Sequence, residues 1–134
     1  LRVGWAMGNE NLIQALCCVR DSINSYPVDR LAQAGAAAAI QDEDYFEQTC
    51  RKVMATRERT AQRLREMGYT VLPSQANFLF VSHPDKPGKA LLDGLRQRGV
   101  LVRWWSDPMI ESWLRISIGT DQEMGTLLSA LQDL

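Results

Sequence analysis

The chain has 134 residues, 15 Lys and Arg against 16 Asp and Glu, a formal charge of −1 at pH 7 and 46% hydrophobic residues. That is enough for one modest core, without the basic excess that would argue for nucleic acid or an anionic membrane surface. No apolar run is long enough to cross a bilayer.

The sequence begins at Leu1 rather than Met, inside a Gly-rich element, so it reads as a piece of a longer protein. "LRVGWAMG", residues 1–8, alternates Leu1, Val3, Trp5 and Met7 with small or polar residues, and predicts a strand with close backbone neighbours. Asn9 is the expected N-cap of a first helix, in which Leu12, Ile13, Leu16 and Val19 recur at helical spacing. That helix should end near Ser22. "INSYPV" then reads as a loop, because Pro27 biases Tyr26 away from helical backbone angles. Asp29 caps a second helix, "RLAQAGAAAAIQ", whose run Ala36–Ala39 is narrow enough for close packing in a larger body.

A third helix is predicted from about Glu43 to Met67, on the order of 35 to 40 Å long. Phe46, Cys50, Val53, Met54, Ala61 and Leu64 form its apolar stripe, interrupted by Arg57, and Gly68 is its natural stop. After Gly68 the pattern turns to short alternating elements. "YTVLP", "ANFLFVS", "VLVRWW" and "WLRISIG" read as strands. "PGKALLDGLRQRG" reads as a helix with Pro87 at its start and Gly99 past its end. Thr120 and Glu123 form a capping box for a last helix ending near Leu134. This order indicates an α+β lobe with helices on one face of its sheet. The expected division is residues 1–42 as one body and 43–134, with the long helix, as another.

Cys17, Cys18 and Cys50 are an odd set without metal-ligand spacing, and His83 is the only histidine. They read as small apolar residues on helices in a reducing, cytoplasmic compartment.

In "WLRISIG", Leu114, Ile116 and Ile118 share one strand face, while Trp113, Arg115 and Ser117 share the other. Arg115 therefore points away from its own core. A guanidinium there either grips a carboxylate through two parallel hydrogen bonds, pairs with a nearby acidic side chain, or reaches water. Arg103 in "VLVRWW" poses the same alternatives.

"LRVGWAMGNENLIQAL", "NSYPVDRLAQAGAAAAI", "PSQANFLFV", "GVLVRWW" and "WLRISIGT" occur here in the order found in the carboxy-terminal part of the histidinol-phosphate aminotransferase family. The chain resembles that branch of the fold-type I pyridoxal-phosphate aminotransferases over essentially its whole length. The resemblance implies the end of the large cofactor-binding domain over 1–42. It implies a C-terminal small domain over 43–134, with helices on one face of a mainly antiparallel sheet. It also implies a pyridoxal 5'-phosphate cofactor, amino transfer between glutamate and phosphorylated imidazole substrates, and a homodimer.

By the same resemblance, Arg2 of "LRVG" matches the arginine that binds the cofactor phosphate, and Arg115 of "LRIS" the one that binds the substrate carboxylate. Arg103 is similar to a companion arginine near the substrate. Asn77 is expected to make a strand-turn hydrogen bond, and Tyr26 to be a loop packing residue. The Schiff-base lysine of the family is expected upstream of Leu1. Lys52, Lys86 and Lys89 match no such motif, so the chain alone is expected to be inactive. A related aminotransferase, a phosphothreonine decarboxylase, or a non-catalytic folding or association module are the competing expectations.

Overall fold

Short polar side chains set the helix starts. In the computed structural model, which describes residues 2–134, α1 runs Glu10–Ile23, with the Asn9 side chain accepting from the Asn11 amide at 3.0 Å. α2 runs Arg30–Gln41 behind Asp29, whose Oδ1 accepts from the Ala32 amide at 2.8 Å. Each cap satisfies an amide that the helix itself leaves without a partner. α3 follows as Glu43–Glu66 and ends at Gly68, whose φ of 87° is the left-handed conformation a helix stop favours. The chain divides into two compact units, Leu1–Glu47 and Gln48–Leu134.

In the first unit neither α1 nor α2 has a buried residue, and Leu12, Leu16, Val19 and Ile23 form an exposed stripe along α1. Two expectations are corrected here. Residues 2–8 form no strand (Leu1 lies outside the described residues), because the described residues give them no ladder partner. Tyr26 is 91% exposed and fills no packing position.

The second unit is built on a three-stranded antiparallel sheet, β1 (Thr70–Val71), β2 (Phe78–Ser82) and β3 (Trp113–Ser117), in the order β1-β2-β3. β2 and β3 pair with Leu79 opposite Ile116, Phe80 opposite Arg115 and Val81 opposite Leu114. Alternation sends Leu79, Val81, Leu114 and Ile116 into the core. They pack there with Leu64 of α3, Leu91 and Leu95 of α4 (Gly88–Gln97), and Leu127 and Leu131 of α5 (Asp121–Gln132). Each fully buried leucine or isoleucine contributes about 1.5–3 kcal/mol from apolar area removed from water. The opposite sheet face carries Phe78, Phe80, Trp113 and Arg115. The Thr120–Glu123 capping box is present, with the Thr120 amide donating to Glu123 Oε2 at 2.7 Å.

Two further expectations are corrected in this unit. "VLVRWW" is not a strand. Val100 is held by the α4 terminus through its amide on the Leu95 carbonyl at 2.9 Å, and Trp104 Nε1 donates to the Glu111 carbonyl at 2.7 Å. Between these restraints only Arg103 reaches β3, as an isolated bridge to Arg115. The buried face of α3 also differs from its apolar stripe. It consists of Thr56, Arg57, Thr60, Ala61 and Leu64, whereas Phe46 is 61% and Met54 46% exposed. Thr56 and Arg57 are buried because each has a partner, Asp121 and the Ala76 carbonyl respectively.

Candidate functional site

Leu114 and Ile116, both in the core, fix the strand that carries Arg115, so the arginine is displayed on the non-core face by its own neighbours. Two backbone hydrogen bonds join it to Arg103. The Arg103 amide donates to the Arg115 carbonyl at 3.0 Å, and the Arg115 amide to the Arg103 carbonyl at 2.8 Å. A directly opposed pair of this kind puts both side chains on one face of the sheet. The structure therefore brings Arg115 and Arg103 together, while Arg2 belongs to the first unit.

The surroundings of Arg115 are aromatic. Its guanidinium carbon lies 5.4 Å from the Phe78 ring centre and 5.6 Å from that of Trp105. Phe80 stacks on Trp113 with centres 5.2 Å apart and planes 11° apart, and meets Trp105 edge-on at 6.3 Å. Arg115 Nε is buried and has no hydrogen-bond acceptor. Among the described residues the Arg115 side chain has no ion-pair partner. Of the alternatives open to a strand arginine, pairing with an acidic neighbour is thus not the one adopted.

A buried guanidinium nitrogen without a partner costs free energy. The terminal nitrogens of the same guanidinium form a fork that matches an anion presenting two coplanar oxygens. The apolar rings of Phe78 and Trp105 beside it lower the local polarity and strengthen any such pair. Arg103 is exposed, lies 5.3 Å from the Trp105 ring and likewise has no carboxylate partner among the described residues.

The turn entering β2 is tied down from several sides. Arg57 Nη1 donates to the Ala76 carbonyl at 3.0 Å, and Ser74 Oγ to the Phe78 carbonyl at 2.6 Å. The Ile118 amide donates to the Asn77 carbonyl at 2.8 Å. The strand-turn bond expected at Asn77 is thus made by its backbone. Thr56 Oγ1 and Arg59 Nη2 both donate to Asp121 Oδ1 at 2.6 Å, joining α3 to the start of α5. These bonds, that from Thr56 first, hold the Asp121 carboxyl below its ordinary range.

Arg2 has a φ of 56°, unusual for a residue with a Cβ, and its exposed guanidinium has no partner among the described residues. Its free donors suit a phosphate, so it fits the role implied for it. Lys52 is exposed on α3, and Lys89 is taken by Asp93, with both carboxylate oxygens at 2.6 Å. Lys86 sits in the turn bridged to His83.

The aromatic wall is a part of the site that the spacing of Arg103 and Arg115 alone does not reveal. Its signal was present in the same alternation that placed Arg115, since Phe78, Phe80 and Trp113 occupy matching positions.

The profile of the family "Aminotransferase class I and II" matches residues 1–131. The histidinol-phosphate aminotransferase of Aromatoleum aromaticum is 51% identical over 134 residues, all of this chain and 38% of the relative. That of Gluconacetobacter diazotrophicus is 51% identical over 131 residues, 98% of this chain and 37% of the relative. A crystal structure of histidinol-phosphate aminotransferase from Sinorhizobium meliloti in complex with pyridoxal-5'-phosphate superposes with a TM-score of 0.80 at 28% identity. That superposition covers 92% of this chain and 33% of the other. The chain thus spans well under half the length of the relatives it matches.

Proposed function

Because this chain belongs to the class I and II aminotransferase family, we propose that it is part of a histidinol-phosphate aminotransferase. The reaction moves an amino group from glutamate to imidazole acetol phosphate, giving 2-oxoglutarate and histidinol phosphate, or runs in reverse. Within that enzyme the chain is the C-terminal part, with residues 1–42 ending the large domain and 43–134 forming the small one. This placement is supported by the order of the motifs, from "LRVG" at the start to "LRISIGT" near the end. The working enzyme is a cytoplasmic homodimer.

The observation that carries the reading is the Arg115 guanidinium, displayed off the core, flanked by Phe78 and Trp105 and without an ion-pair partner among the described residues. Arg115 holds the α-carboxylate of glutamate through its two-pronged fork. Arg103, on the neighbouring backbone, receives the second anion of a substrate that carries one elsewhere. Reuse of two guanidiniums suits a reaction whose two substrates place their anions differently. Arg2 neutralises the cofactor's phosphate with donors that no described residue occupies. Pyridoxal phosphate, when bound, supplies the electron sink that amino transfer requires. The lysine that shuttles the proton comes from the rest of the parent protein.

Donor and acceptor profiling of the full-length protein tests the assignment. Glutamate-dependent formation of histidinol phosphate is expected. Release of carbon dioxide from phosphothreonine, without amino transfer, would replace it with the decarboxylase reading.

A further inference from the structure

The Arg103–Arg115 bridge raises a problem of its own. Like charges directly opposite each other on one sheet face repel, and no carboxylate among the described residues neutralises either. One feature is common to both guanidiniums, the Trp105 ring, 5.3 Å from Arg103 Cζ and 5.6 Å from Arg115 Cζ.

We propose that Trp105 is the positioning residue of this site, a single π surface that holds both guanidiniums in place for two anionic groups of one ligand. The proposal rests on the reading of Arg115 as a carboxylate clamp.

An indole is the most effective ring partner for a cation, and the attraction grows as water is excluded. A guanidinium held over a ring keeps its in-plane N–H donors free for oxygen acceptors, which an ion pair with a protein carboxylate would consume. Trp105 thus offsets the repulsion without occupying the donors. The ring is itself restrained by the edge contact with Phe80, which in turn stacks on Trp113. This links its position to the β2–β3 ladder that carries Arg115. Phe78 contacts Arg115 alone among these cation–ring pairs, so it cannot couple the two arginines.

The ligand class that follows is a small dianion with its charged groups separated, such as a dicarboxylate. Loss of the shared ring leaves the charges present but less well ordered, so binding weakens more than turnover.

The test uses the full-length enzyme with Trp105→Leu, Trp105→Phe and Arg115→Lys. Calorimetric binding of glutarate, a dicarboxylate without an amino group, is measured beside KM and kcat for glutamate. Trp105→Leu is expected to weaken glutarate about tenfold and raise KM in parallel with little change in kcat. Trp105→Phe, which restores a ring of weaker attraction, should recover most of that loss. If Trp105→Leu does not fold, Trp105→Gln, which also lacks a ring, takes its place: a weakening of about tenfold supports the proposal, and wild-type binding overturns it. Wild-type glutarate binding in both Trp105 variants, with Arg115→Lys impaired, overturns the role of Trp105 and leaves the carboxylate clamp standing. Wild-type binding in Arg115→Lys instead removes the clamp, and the proposal with it.

Discussion

Arg57 Nη1 donates to the Ala76 carbonyl oxygen at 3.0 Å, joining α3 to the turn that leads into β2. Arg57 is 8% exposed, and its Nε and Nη2 also meet Glu58 Oε1 at 3.1 and 3.0 Å. Glu58 is itself largely in solvent, so the bond to Ala76 is the one that restrains the fold. Arg57→Met keeps the apolar stem and removes the charged donor. A loss of about 1.5–3 kcal/mol in urea unfolding is expected. An unchanged midpoint would mean that the turn is held by Ser74 and Asn77 without it.

Acid should loosen the junction of α3 and α5. The Asp121 carboxyl is lowered from its usual 3.8, first by the bond from Thr56 and then by that from Arg59. Glu123 is lowered from 4.5 by the Thr120 amide and then the Thr120 hydroxyl. A carboxyl whose folded pKa lies below its unfolded one gives stability that is complete above the unfolded value. That stability is lost as pH falls through the lower, folded one. Melting temperature should therefore decline below about pH 4, and Asp121→Asn should show a shallower decline. Equal acid sensitivity in that variant would remove Asp121 from the account.

Gly88, at the start of α4, admits no side chain. A Cβ there would lie 2.5 Å from the Glu111 carbonyl oxygen and 3.0 Å from the Ser112 carbonyl carbon, both backbone atoms. Trp104 Nε1 donates to that same Glu111 carbonyl. Gly88→Ala should cost about 1–3 kcal/mol through the forced backbone shift, visible as a lower thermal midpoint. A neutral result would show that residues 111–112 yield freely.

The lysines make a chemical prediction. Incubation of the 134-residue chain with pyridoxal phosphate, followed by borohydride reduction and mass spectrometry, should label no lysine beyond the level of ordinary surface lysines. Selective, stoichiometric labelling of Lys52, Lys86 or Lys89 would contradict the assignment of the proton-shuttling lysine to another part of the parent.

What was legible in the sequence is what depends on near neighbours. Asn9, Asp29, Gly68 and the Thr120–Glu123 box act over three or four residues, and each sets a helix boundary as expected. Period-two alternation likewise placed Leu114 and Ile116 inside and Arg115 outside. Pairing was harder to read. Residues 2–8 and 100–105 have strand-like patterns, but alternation does not say whether a partner is alongside, and only Arg103 finds one. Thr56 and Arg57 were missed as buried residues because their partners, Asp121 and Ala76, lie 65 and 19 residues away. The role of Trp105 depends on two arginines brought together by β3, which its own sequence neighbourhood does not reveal.

The central claim concerns the guanidinium fork of Arg115, and one kinetic comparison reaches it directly. Arg115→Lys retains the positive charge but cannot make the paired, coplanar hydrogen bonds. In the full-length enzyme, kcat/KM for glutamate should fall about 10- to 100-fold, the loss expected for one charge-assisted bond. A kcat/KM equal to that of the unaltered enzyme, in a variant with an unchanged thermal midpoint, would contradict the assignment of the glutamate carboxylate to Arg115.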